Sequence, residues 1–510
     1  MRFRPPHLAL LILLTMGSTA LAEPSSRPNI LFAIADDWSW PHAGAYGDQV
    51  ALTPNFDRVA ERGVLFHNAF CVAPQCSPNR ASILTGRNIW ENEEAGTHAS
   101  SFPTKFTVYP GILAKAGYFT GFTGKPWGPG VWEEAGWPQN PAGKEFEPYQ
   151  LDNLPEGVNS TDYARNFEAF LDACPEDAPF CFWYGCHEPH RKFEQGIGAK
   201  NGIDPDSVHV PAFLPDLPLI RSDLADYYYE VQWFDRHLGK MLDLLEERGE
   251  LDNTLVVVTS DNGMAFPRAK ANLYEYGLHM PLAVMWPEKV SGGREVQDLI
   301  SFTDFAPTFL EAAGLPSEPA MTGRSFLDLL TTKEEGIVDP SRKFVLSGRE
   351  RHTHARPDNR GYPARSIRTQ DYLLIWNLNP DLWPAGNDLG PEGFYDIDGC
   401  PSKTFLLENR DDPEIKKYFD WAVARRPEFE LFDIRKDPEC LENLADDPIF
   451  ESIRKDLHGK LEFLLISQKD PRVTGRFDLF DSYPRYSGMR EFMGGFVERG
   501  KYNPAFQTGN

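Results

Sequence analysis

Short apolar segments alternate with segments of helical periodicity along the first part of the chain. Apolar segments without a polar face are typical of strands buried on both sides of a parallel sheet. They predict strands at residues 30–35, 64–66, 118–123, 180–184, 254–259 and 282–285. Apolar residues spaced three and four apart predict helices at residues 55–62, 112–116, 162–173, 224–247 and 305–313. This alternation predicts βαβ units and an α/β fold with a mostly parallel central sheet flanked by helices.

Polar side chains follow four of these strands, at the point where each strand ends. In chain order they are Asp36 and Asp37, Lys125, His187 and His190, and Asp261 and Asn262. In open α/β sheets, ligands bind beyond the carboxyl ends of the strands. We therefore expect these side chains to meet at one edge of the sheet and to form a site there.

The oxygen-bearing members of this set favour a hard divalent cation. Asp36, Asp37, Asp261 and Asn262 offer only oxygen ligands, which suit Ca²⁺ or Mg²⁺ better than zinc or copper. Adjacent aspartates repel each other, and a divalent cation relieves that repulsion. The alternative is two separate acidic turns, because Asp-Asn-Gly is a common turn sequence.

Residues 75–86 place a cysteine at the predicted start of another helix. Cys76 and Pro78 precede a run that can continue a helix, and Pro is favoured in a first helical turn. The free N–H groups and the dipole of such a terminus attract anions. Arg80, about one turn later, can point back to the same place, although a buried cysteine beside a turn is the alternative. Other cationic candidates for holding an oxyanion are Lys125, His190, Arg191 and Lys270.

Past residue 360 the pattern changes to shorter elements joined by links rich in Pro and Gly. It predicts strands at residues 365–377 and 427–433, a helix over residues 449–465, and an irregular link at residues 379–399. We therefore expect a catalytic domain at residues 27–360 and a smaller C-terminal α+β domain at residues 361–505.

Residues 1–22 have the features of a secretory signal peptide, with a basic end, a short apolar run and a small-residue cleavage site. No later segment is long enough to span a bilayer, so we expect an exported protein without a membrane span.

The formal charge of −24 excludes a general nucleic-acid binder. Distant surface charge is screened beyond about 8 Å, so a small anionic group can still bind at a local cluster of cations. We expect oligosaccharides or chain ends as substrates, since the overall charge slows capture of a long polyanion.

With these residues in place, the chain resembles a type I sulfatase of the alkaline-phosphatase-like superfamily over nearly its whole mature length. The most specific element is Cys76-Ser77-Pro78-Asn79-Arg80 followed by Leu84-Thr85-Gly86. The Asp36-Asp37 pair, the Gly124-Lys125 loop, the 187–190 histidine segment, and Asp261-Asn262-Gly263 with Lys270 match in type and order. The resemblance implies an alkaline-phosphatase-like large domain with a smaller C-terminal domain.

The resemblance also implies a mechanism and a set of roles. A maturation enzyme that generates formylglycine would oxidise Cys76, and the hydrated aldehyde would attack sulfur to give a covalent sulfo-enzyme intermediate. Ca²⁺, in preference to Mg²⁺, would be held by residue 76 with Asp36, Asp37, Asp261 and Asn262. The remaining roles would be activation of the aldehyde hydrate by Arg80, sulfate binding by Lys125 and Lys270, and protonation of the leaving atom by His190.

Within the family the chain most resembles the heparan N-sulfatase (N-sulfoglucosamine sulfohydrolase) branch, on stretches that include residues 187–191, 260–263 and 430–433. O-sulfated saccharides are the alternative substrates, and a phosphodiesterase or phosphonate hydrolase is a further alternative function. Residues expected to contact a sulfated saccharide are His98, His187, Arg191, His352, His354 and Arg356.

The family loop usually has a His two residues after the Lys, where this chain has Trp127. We expect Trp127 to stack on a sugar ring, and we expect His190 to take over the role of that His. The family implies a periplasmic or extracellular protein if bacterial, and a lysosomal or secreted one if eukaryotic.

Overall fold

The computed structural model describes Met1 and residues 27–390 and 393–486. The predicted signal peptide at residues 1–22 lies outside the described residues except for Met1, as does the end of the predicted C-terminal domain. Among the described residues, no helix combines the length and the hydropathy that crossing a bilayer requires.

The central layer is a nine-stranded sheet. Its strands in chain order are β1 (Asn29–Ala35), β2 (Val64–Phe70), β3 (Phe119–Gly124), β4 (Lys144–Glu145), β5 (Phe180–Gly185), β6 (Thr254–Ser260), β7 (His279–Met285), β8 (Arg294–Val296) and β9 (Ile300–Ser301). The spatial order is β4-β3-β5-β1-β6-β7-β2-β8, with β9 paired to β2. Only β7 runs antiparallel to its described neighbours, β6 and β2. The predicted α/β fold with a mostly parallel central sheet is confirmed.

Both faces of this sheet are buried, which explains the apolar strand segments. Successive residues of β1 point to opposite faces, so Phe32 packs in one core and Leu31 packs in the other. Ile83 of the helix that carries Cys76 lies in the first core, and Leu238 of the long helix ahead of β6 lies in the second. A parallel strand buried on both sides has no polar face to show in its sequence.

Thirteen α-helices lie among the described residues. They are α1 (Pro54–Glu61), α2 (Cys76–Thr85), α3 (Tyr109–Lys115), α4 (Tyr163–Ala173), α5 (Ile197–Lys200), α6 (Pro218–Glu247), α7 (Glu275–Leu278), α8 (Phe305–Ala312), α9 (Leu327–Thr331), α10 (Pro401–Glu408), α11 (Lys416–Val423), α12 (Glu451–Ser467) and α13 (Leu479–Ser482). The predicted helices correspond to α1 to α4, α6, α8 and α12. Helix α6 begins six residues before its predicted start, at Pro218, because Pro in the first turn lacks only an N–H that has no partner there.

A second, four-stranded antiparallel sheet follows, formed by β10 (Val345–Arg349), β11 (Ala364–Arg368), β12 (Tyr372–Asn377) and β13 (Phe429–Asp433). Its apolar residues, such as Leu374, belong to the same core as one face of the large sheet. The sheet begins at Val345, ahead of the domain boundary predicted at residue 361, because β10 pairs with β11. The smaller α+β part is therefore present, and the division into two domains stays a prediction.

One predicted strand is wrong in form. Residues 365–377 form a hairpin of β11 and β12, with Arg368 of one strand opposite Leu373 of the other. The turn is polar: the backbone N–H of Thr369 donates to the carbonyl of Tyr372 at 2.9 Å. Its three residues, Thr369, Gln370 and Asp371, are all polar, so the sequence does carry a break that the prediction of one strand overlooked.

Candidate active site

Strands β3, β5, β1 and β6 lie side by side and parallel, so their carboxyl ends meet at one edge of the sheet. Backbone hydrogen bonds extend this pairing beyond the strands. The N–H of Asp261 donates to the carbonyl of Ala35 at 3.0 Å, and the N–H of Lys125 donates to the carbonyl of Gly185 at 2.7 Å. The side chains predicted to meet at this edge are therefore placed by the sheet itself.

Cys76 is the first residue of α2, as its sequence context predicted. Gln75 before it is extended, and Gly86 ends the helix with a φ of 64°, a conformation that Gly adopts without strain. The Cys76 thiol lies 3.4 Å from Oδ1 of Asp36 and is buried. Burial and the Asp36 carboxylate raise the pKa of Cys76 well above its ordinary value, so the side chain is held as a thiol.

Three buried carboxylates form an oxygen cluster beside Cys76. Asp36, Asp37 and Asp261 each place a carboxylate oxygen within 4.8 Å of the others. Nδ2 of Asn262 donates to Oδ1 of Asp37 at 2.7 Å, which adds the fourth predicted ligand to the cluster. Asp37 has a φ of 77°, an uncommon conformation for a residue with a side chain and one that recurs at functional sites.

The oxygen cluster fits a divalent cation. Burial, opposed in part by Lys270, raises the pKa of Asp37 to about 7, and burial together with Asp36 raises that of Asp261 to about 6. Burial thus disfavours the ionised form of these two carboxyl groups, and a bound cation would favour it. The Asn262 Oδ1 atom is buried without a hydrogen-bond partner, which suits an oxygen that binds a metal.

Three cations surround the cluster: Lys125, Lys270 and Arg80. Nζ of Lys125 forms an ion pair with Oδ2 of Asp36, and Nζ of Lys270 lies 2.6 Å from Oδ2 of Asp37. Burial alone would lower the pKa of both lysines, but their aspartates raise it above its ordinary value. Both ammonium groups are therefore charged and able to hold an anion.

Arg80 is fully buried and connects three segments. Its Nε donates to Oδ2 of Asp261 at 2.8 Å, and its Nη1 donates to the carbonyl oxygens of Lys125 at 2.5 Å and Pro126 at 3.1 Å. Its Nη2 lies 4.0 Å from Oδ1 of Asp36 and has no hydrogen-bond partner. That buried donor faces the cluster, where an additional oxygen could accept from it.

His190 is oriented by its own backbone segment. Its Nδ1 lies 2.6 Å from the carbonyl oxygen of Arg191, and a carbonyl only accepts, so Nδ1 carries the hydrogen. The Nε2 atom is therefore the one available for proton transfer. A ring nitrogen of His190 lies within 4.8 Å of the Cys76 sulfur and an Asp36 oxygen. Burial and then Lys270 lower the pKa of His190, and burial and then Lys125 lower that of His187 to about 4.

Several of these groups line a cavity of about 520 Å³. The predicted site residues that line it are Asp36, Cys76, His98, Lys125, His187, His190, Arg191, Lys270 and His352. His98 and His352 lie edge to face with ring centres 4.6 Å apart, on the wall formed with residues of the C-terminal part. The cavity thus brings together the cysteine, both lysines and four histidines.

Four of the residues predicted to contact the substrate are either absent from the cavity lining or already paired with another side chain. The Trp127 indole is 2% exposed and does not line the cavity; it donates to the carbonyl of Ser77 at 3.1 Å beneath α2, so the predicted sugar stacking is not supported. His354 and Arg356 are buried away from the cavity lining. Arg191 lines the cavity, but its guanidinium forms two hydrogen bonds with Asp223, at 2.7 and 2.9 Å.

The structure adds cavity residues that sequence reasoning missed. Asp398 lies 3.2 Å from Nζ of Lys270, and Arg485 donates through Nε to the carbonyl of His352 at 3.2 Å. Both come from irregular segments of the C-terminal part, where no strand end marks them. The Asp396-Ile397-Asp398-Gly399 sequence within a Pro- and Gly-rich link was the available signal for the first.

Comparison with known proteins gives two family matches and relatives that align with most of the chain. The family model described as Sulfatase matches residues 28–315, and the model described as N-sulphoglucosamine sulphohydrolase, C-terminal, matches residues 268–384. N-sulphoglucosamine sulphohydrolase of Homo sapiens is 32% identical over 498 residues, which cover 88% of this chain and 92% of that protein. An ulvan-active sulfatase of Formosa agariphila is 26% identical over 475 residues, covering 87% of this chain and 76% of that protein.

A solved structure shares the fold. It is described as being in complex with its substrate D-glucosamine-2-N,6-O-disulfate, and it superposes with a TM-score of 0.64 at 22% identity. The superposition covers 87% of this chain and 98% of that one. At this identity the likeness shows the fold alone.

Proposed function

The chain belongs to the sulfatase family, and from that membership we propose that it removes sulfate from a saccharide carrying N-sulfated glucosamine. Membership makes it a hydrolase of sulfate esters or sulfamates. The N-sulfated substrate is supported by the human relative and by the C-terminal family match. The reaction rests on one observation above the others: Cys76 opens α2 with its sulfur 3.4 Å from Asp36, at the edge of a buried oxygen cluster.

Residue 76 is proposed to act as formylglycine, made from Cys76 by a maturation enzyme. When present, the aldehyde hydrate supplies an oxygen nucleophile where the thiol now lies. The Cys76 thiol itself is a poor nucleophile here, because burial and Asp36 raise its pKa. The buried, unpaired Nη2 of Arg80 is placed to donate to an oxygen on residue 76.

Ca²⁺ is the proposed metal, held by Asp36, Asp37, Asp261 and Asn262 together with residue 76. When bound, it supplies positive charge that stabilises the oxygens of the sulfate group during transfer. The unpartnered Asn262 Oδ1 and the raised pKa values of two of the three carboxylates support this assignment. Hard oxygen ligands favour Ca²⁺ or Mg²⁺, and the resemblance to the family favours Ca²⁺.

The sulfate is proposed to bind between Lys125 and Lys270. Both ammonium groups line the cavity and are nine-tenths buried or nearly so, with 12% and 4% of their side chains exposed. At about 4 Å and an effective dielectric near 20, an ammonium attracts a unit negative charge by roughly 4 kcal/mol before the repulsion of its partner aspartate is subtracted. This local attraction outweighs the screened charge of the acidic surface.

His190 is proposed to give a proton to the leaving atom. Its Nδ1–H donates to the Arg191 carbonyl, which fixes the ring and leaves Nε2 directed to the reacting groups. Because burial and Lys270 lower the pKa of His190, Nε2 first takes up a proton from the reacting water and then passes it to the leaving atom. Trp127 stands where the family usually has a His and is buried under α2, so His190 and His187 are the cavity histidines on this side. Proton donation to the leaving atom therefore falls to His190, the one whose ring nitrogen approaches residue 76.

The size of the cavity favours the end of a saccharide chain. A volume of about 520 Å³ lies within the usual range for small-ligand sites and suits one or two sugar rings. The net charge of −24 opposes approach of a long polyanion. Export by residues 1–22, to the periplasm, the exterior or a lysosome according to the host, is part of the proposal.

The test is a panel of defined saccharides with sulfate at the N, 2-O, 3-O, 4-O or 6-O position, assayed with Ca²⁺ alongside phosphate and phosphonate esters. We expect the highest kcat/KM for N-sulfated glucosamine at a chain end. A preference for an O-sulfated sugar would favour the second candidate, an O-sulfatase, which the ulvan-active relative supports. A preference for the phosphorus esters, or for intact polymer at physiological salt, would contradict the proposal.

A further inference from the structure

Asp398 places a negative charge in a cavity that is built to bind an anion. It lines the cavity and is 20% exposed, and one of its oxygens lies within 4.8 Å of a ring nitrogen of His190 and an oxygen of Asp37. The other carboxylate lining this cavity among the described residues is Asp36, which belongs to the oxygen cluster. Asp398 therefore needs an explanation of its own.

Pairing with Lys270 does not explain Asp398. Lys270 already has Asp37 as a partner at 2.6 Å, against 3.2 Å for Asp398. A second carboxylate near Lys270 weakens the attraction of this lysine for sulfate, because the carboxylate and the sulfate are both negative and repel each other at short distance. A group on the substrate that donates hydrogen or becomes positive would offset this cost.

The two kinds of sulfate substrate differ in that respect. A sulfate ester reacts as R–O–SO₃⁻ + H₂O → R–OH + SO₄²⁻ + H⁺, which leaves a neutral alcohol. A sulfamate reacts as R–NH–SO₃⁻ + H₂O → R–NH₃⁺ + SO₄²⁻, which leaves a cation. In the second case the S–N electron pair goes to nitrogen, water supplies the fourth sulfate oxygen, and both water protons reach the nitrogen, one of them through His190.

We propose that Asp398 is the residue that selects sulfamates over sulfate esters, by accepting a hydrogen bond from the N–H of the sulfamate and then from the ammonium that forms. Its distance from His190 places the carboxylate next to the atom that His190 protonates. A carboxylate acceptor stabilises the growing positive charge on nitrogen, and it offers an alcohol oxygen no comparable gain. This inference rests on the proposed N-sulfatase function.

Asp398 does not follow β1, β3, β5 or β6, the strands whose carboxyl ends form the edge that carries the site. It comes from the link between β12 and α10, and the same link contributes Asp396, which is buried against Arg356 at 2.8 Å. Asp396 thereby holds the link in place while Asp398 faces the cavity. The C-terminal part would thus set the type of bond cleaved, and the first sheet would carry the reacting groups.

The experiment measures kcat/KM of wild type, Asp398→Asn, Asp398→Glu and Asp388→Asn on N-sulfated glucosamine and on 6-O-sulfated N-acetylglucosamine. Asp388 is the matched control, since it lies in the same link and pairs with Arg410 at the surface. We expect the sulfamate-to-ester ratio to fall about 10- to 100-fold in Asp398→Asn, the loss of a hydrogen bond to a charged group. The ratio should fall less in Asp398→Glu and stay at the wild-type value in Asp388→Asn.

If the wild-type enzyme hydrolyses the sulfate ester too slowly for the sulfamate-to-ester ratio to be measured, product inhibition provides a second test. Inhibition by glucosamine, a cation, is compared with inhibition by N-acetylglucosamine, and Asp398→Asn should weaken only the first. Equal losses on both substrates, or unchanged glucosamine inhibition, would overturn the role of Asp398. Wild-type enzyme inactive on the sulfamate would instead overturn the proposed function, and the inference with it, before any variant is compared.

Discussion

Nε of Arg80 lies 2.8 Å from Oδ2 of Asp261, so the helix that carries Cys76 is joined to the end of β6 by an ion pair closed to water. The same guanidinium donates to two carbonyl oxygens of the loop after β3. The helix of Cys76, the oxygen cluster and the Lys125 loop therefore share one side chain, and a change there should affect all three.

Arg80→Lys keeps the charge but loses the fork of donors, so it is not a conservative change. We expect kcat/KM to fall by about 100-fold or more, as on loss of a donor that stabilises transition-state charge. Denaturant unfolding should show a loss of stability as well. Arg58→Lys is the control, because Arg58 pairs with Asp243 near the surface and should change stability by less than about 1 kcal/mol. Full activity in Arg80→Lys would exclude the role given to Arg80.

Metal removal should act on stability as well as on activity. A cation that binds only the folded state raises the melting temperature, so chelator treatment should lower it and added Ca²⁺ should restore it. Asp261→Asn should lose the Ca²⁺-dependent shift, and Asp388→Asn should retain it. Differential scanning fluorimetry with and without Ca²⁺ gives the shifts, and elemental analysis gives the bound metal. An unchanged melting temperature after complete removal of Ca²⁺ would speak against the assigned site.

Trp127 should matter for packing and not for sugar binding. Trp127→Ala removes a buried indole that packs edge to face on Phe102 at 5.1 Å, and it should cost about 3–5 kcal/mol of unfolding free energy. Trp127→Phe keeps an aromatic ring but loses the bond to the Ser77 carbonyl, at a cost of about 1 kcal/mol. We expect the KM of Trp127→Phe to equal that of wild type. A raised KM with unchanged stability would restore the sugar contact that the sequence suggested.

Glu275 should make stability depend on pH through the contact between the two sheets. It pairs with Arg368 of β11 at 2.7 Å; burial alone would raise its pKa, but Arg368 and His279 lower it to about 2. A carboxyl group whose pKa is lowered on folding stabilises the fold at pH values above its ordinary pKa of 4.5. This contribution, about 3 kcal/mol in all, is lost as the pH falls toward 2.

The stability difference between wild type and Glu275→Gln should therefore be largest at neutral pH and should shrink below pH 4.5. Urea unfolding at several pH values between 7 and 3 gives this difference. Glu288→Gln serves as the reference, since Glu288 pairs with Lys289 on the surface. A difference that stays constant with pH would show that the carboxylate charge of Glu275 is not responsible.

The parts of the site that the sequence predicted are those fixed by strand ends. Asp36, Lys125 and Asp261 follow buried strands that lie parallel and side by side, so strand pattern alone placed them at one edge. Cys76 was placed by the helix-start signal of Pro78 and the run that follows it.

The other parts depend on long-range packing that no local pattern records. Asp398 and Arg485 reach the cavity from irregular segments, while His354 and Arg356, in a similar loop, turn away from it. Trp127 shows the same limit: its position after the Gly124-Lys125 loop suggested the cavity, but its indole fills the space beneath α2.

Residue 76 is proposed to act as formylglycine, and peptide mass spectrometry of active enzyme distinguishes that aldehyde from a thiol. Trypsin should release the peptide from Gly63 to Arg80, which contains Cys71 and Cys76. After reduction and alkylation we expect one alkylated cysteine, at residue 71, and the mass of an aldehyde at residue 76. Fully active protein that yields this peptide alkylated at both positions would contradict the proposed mechanism.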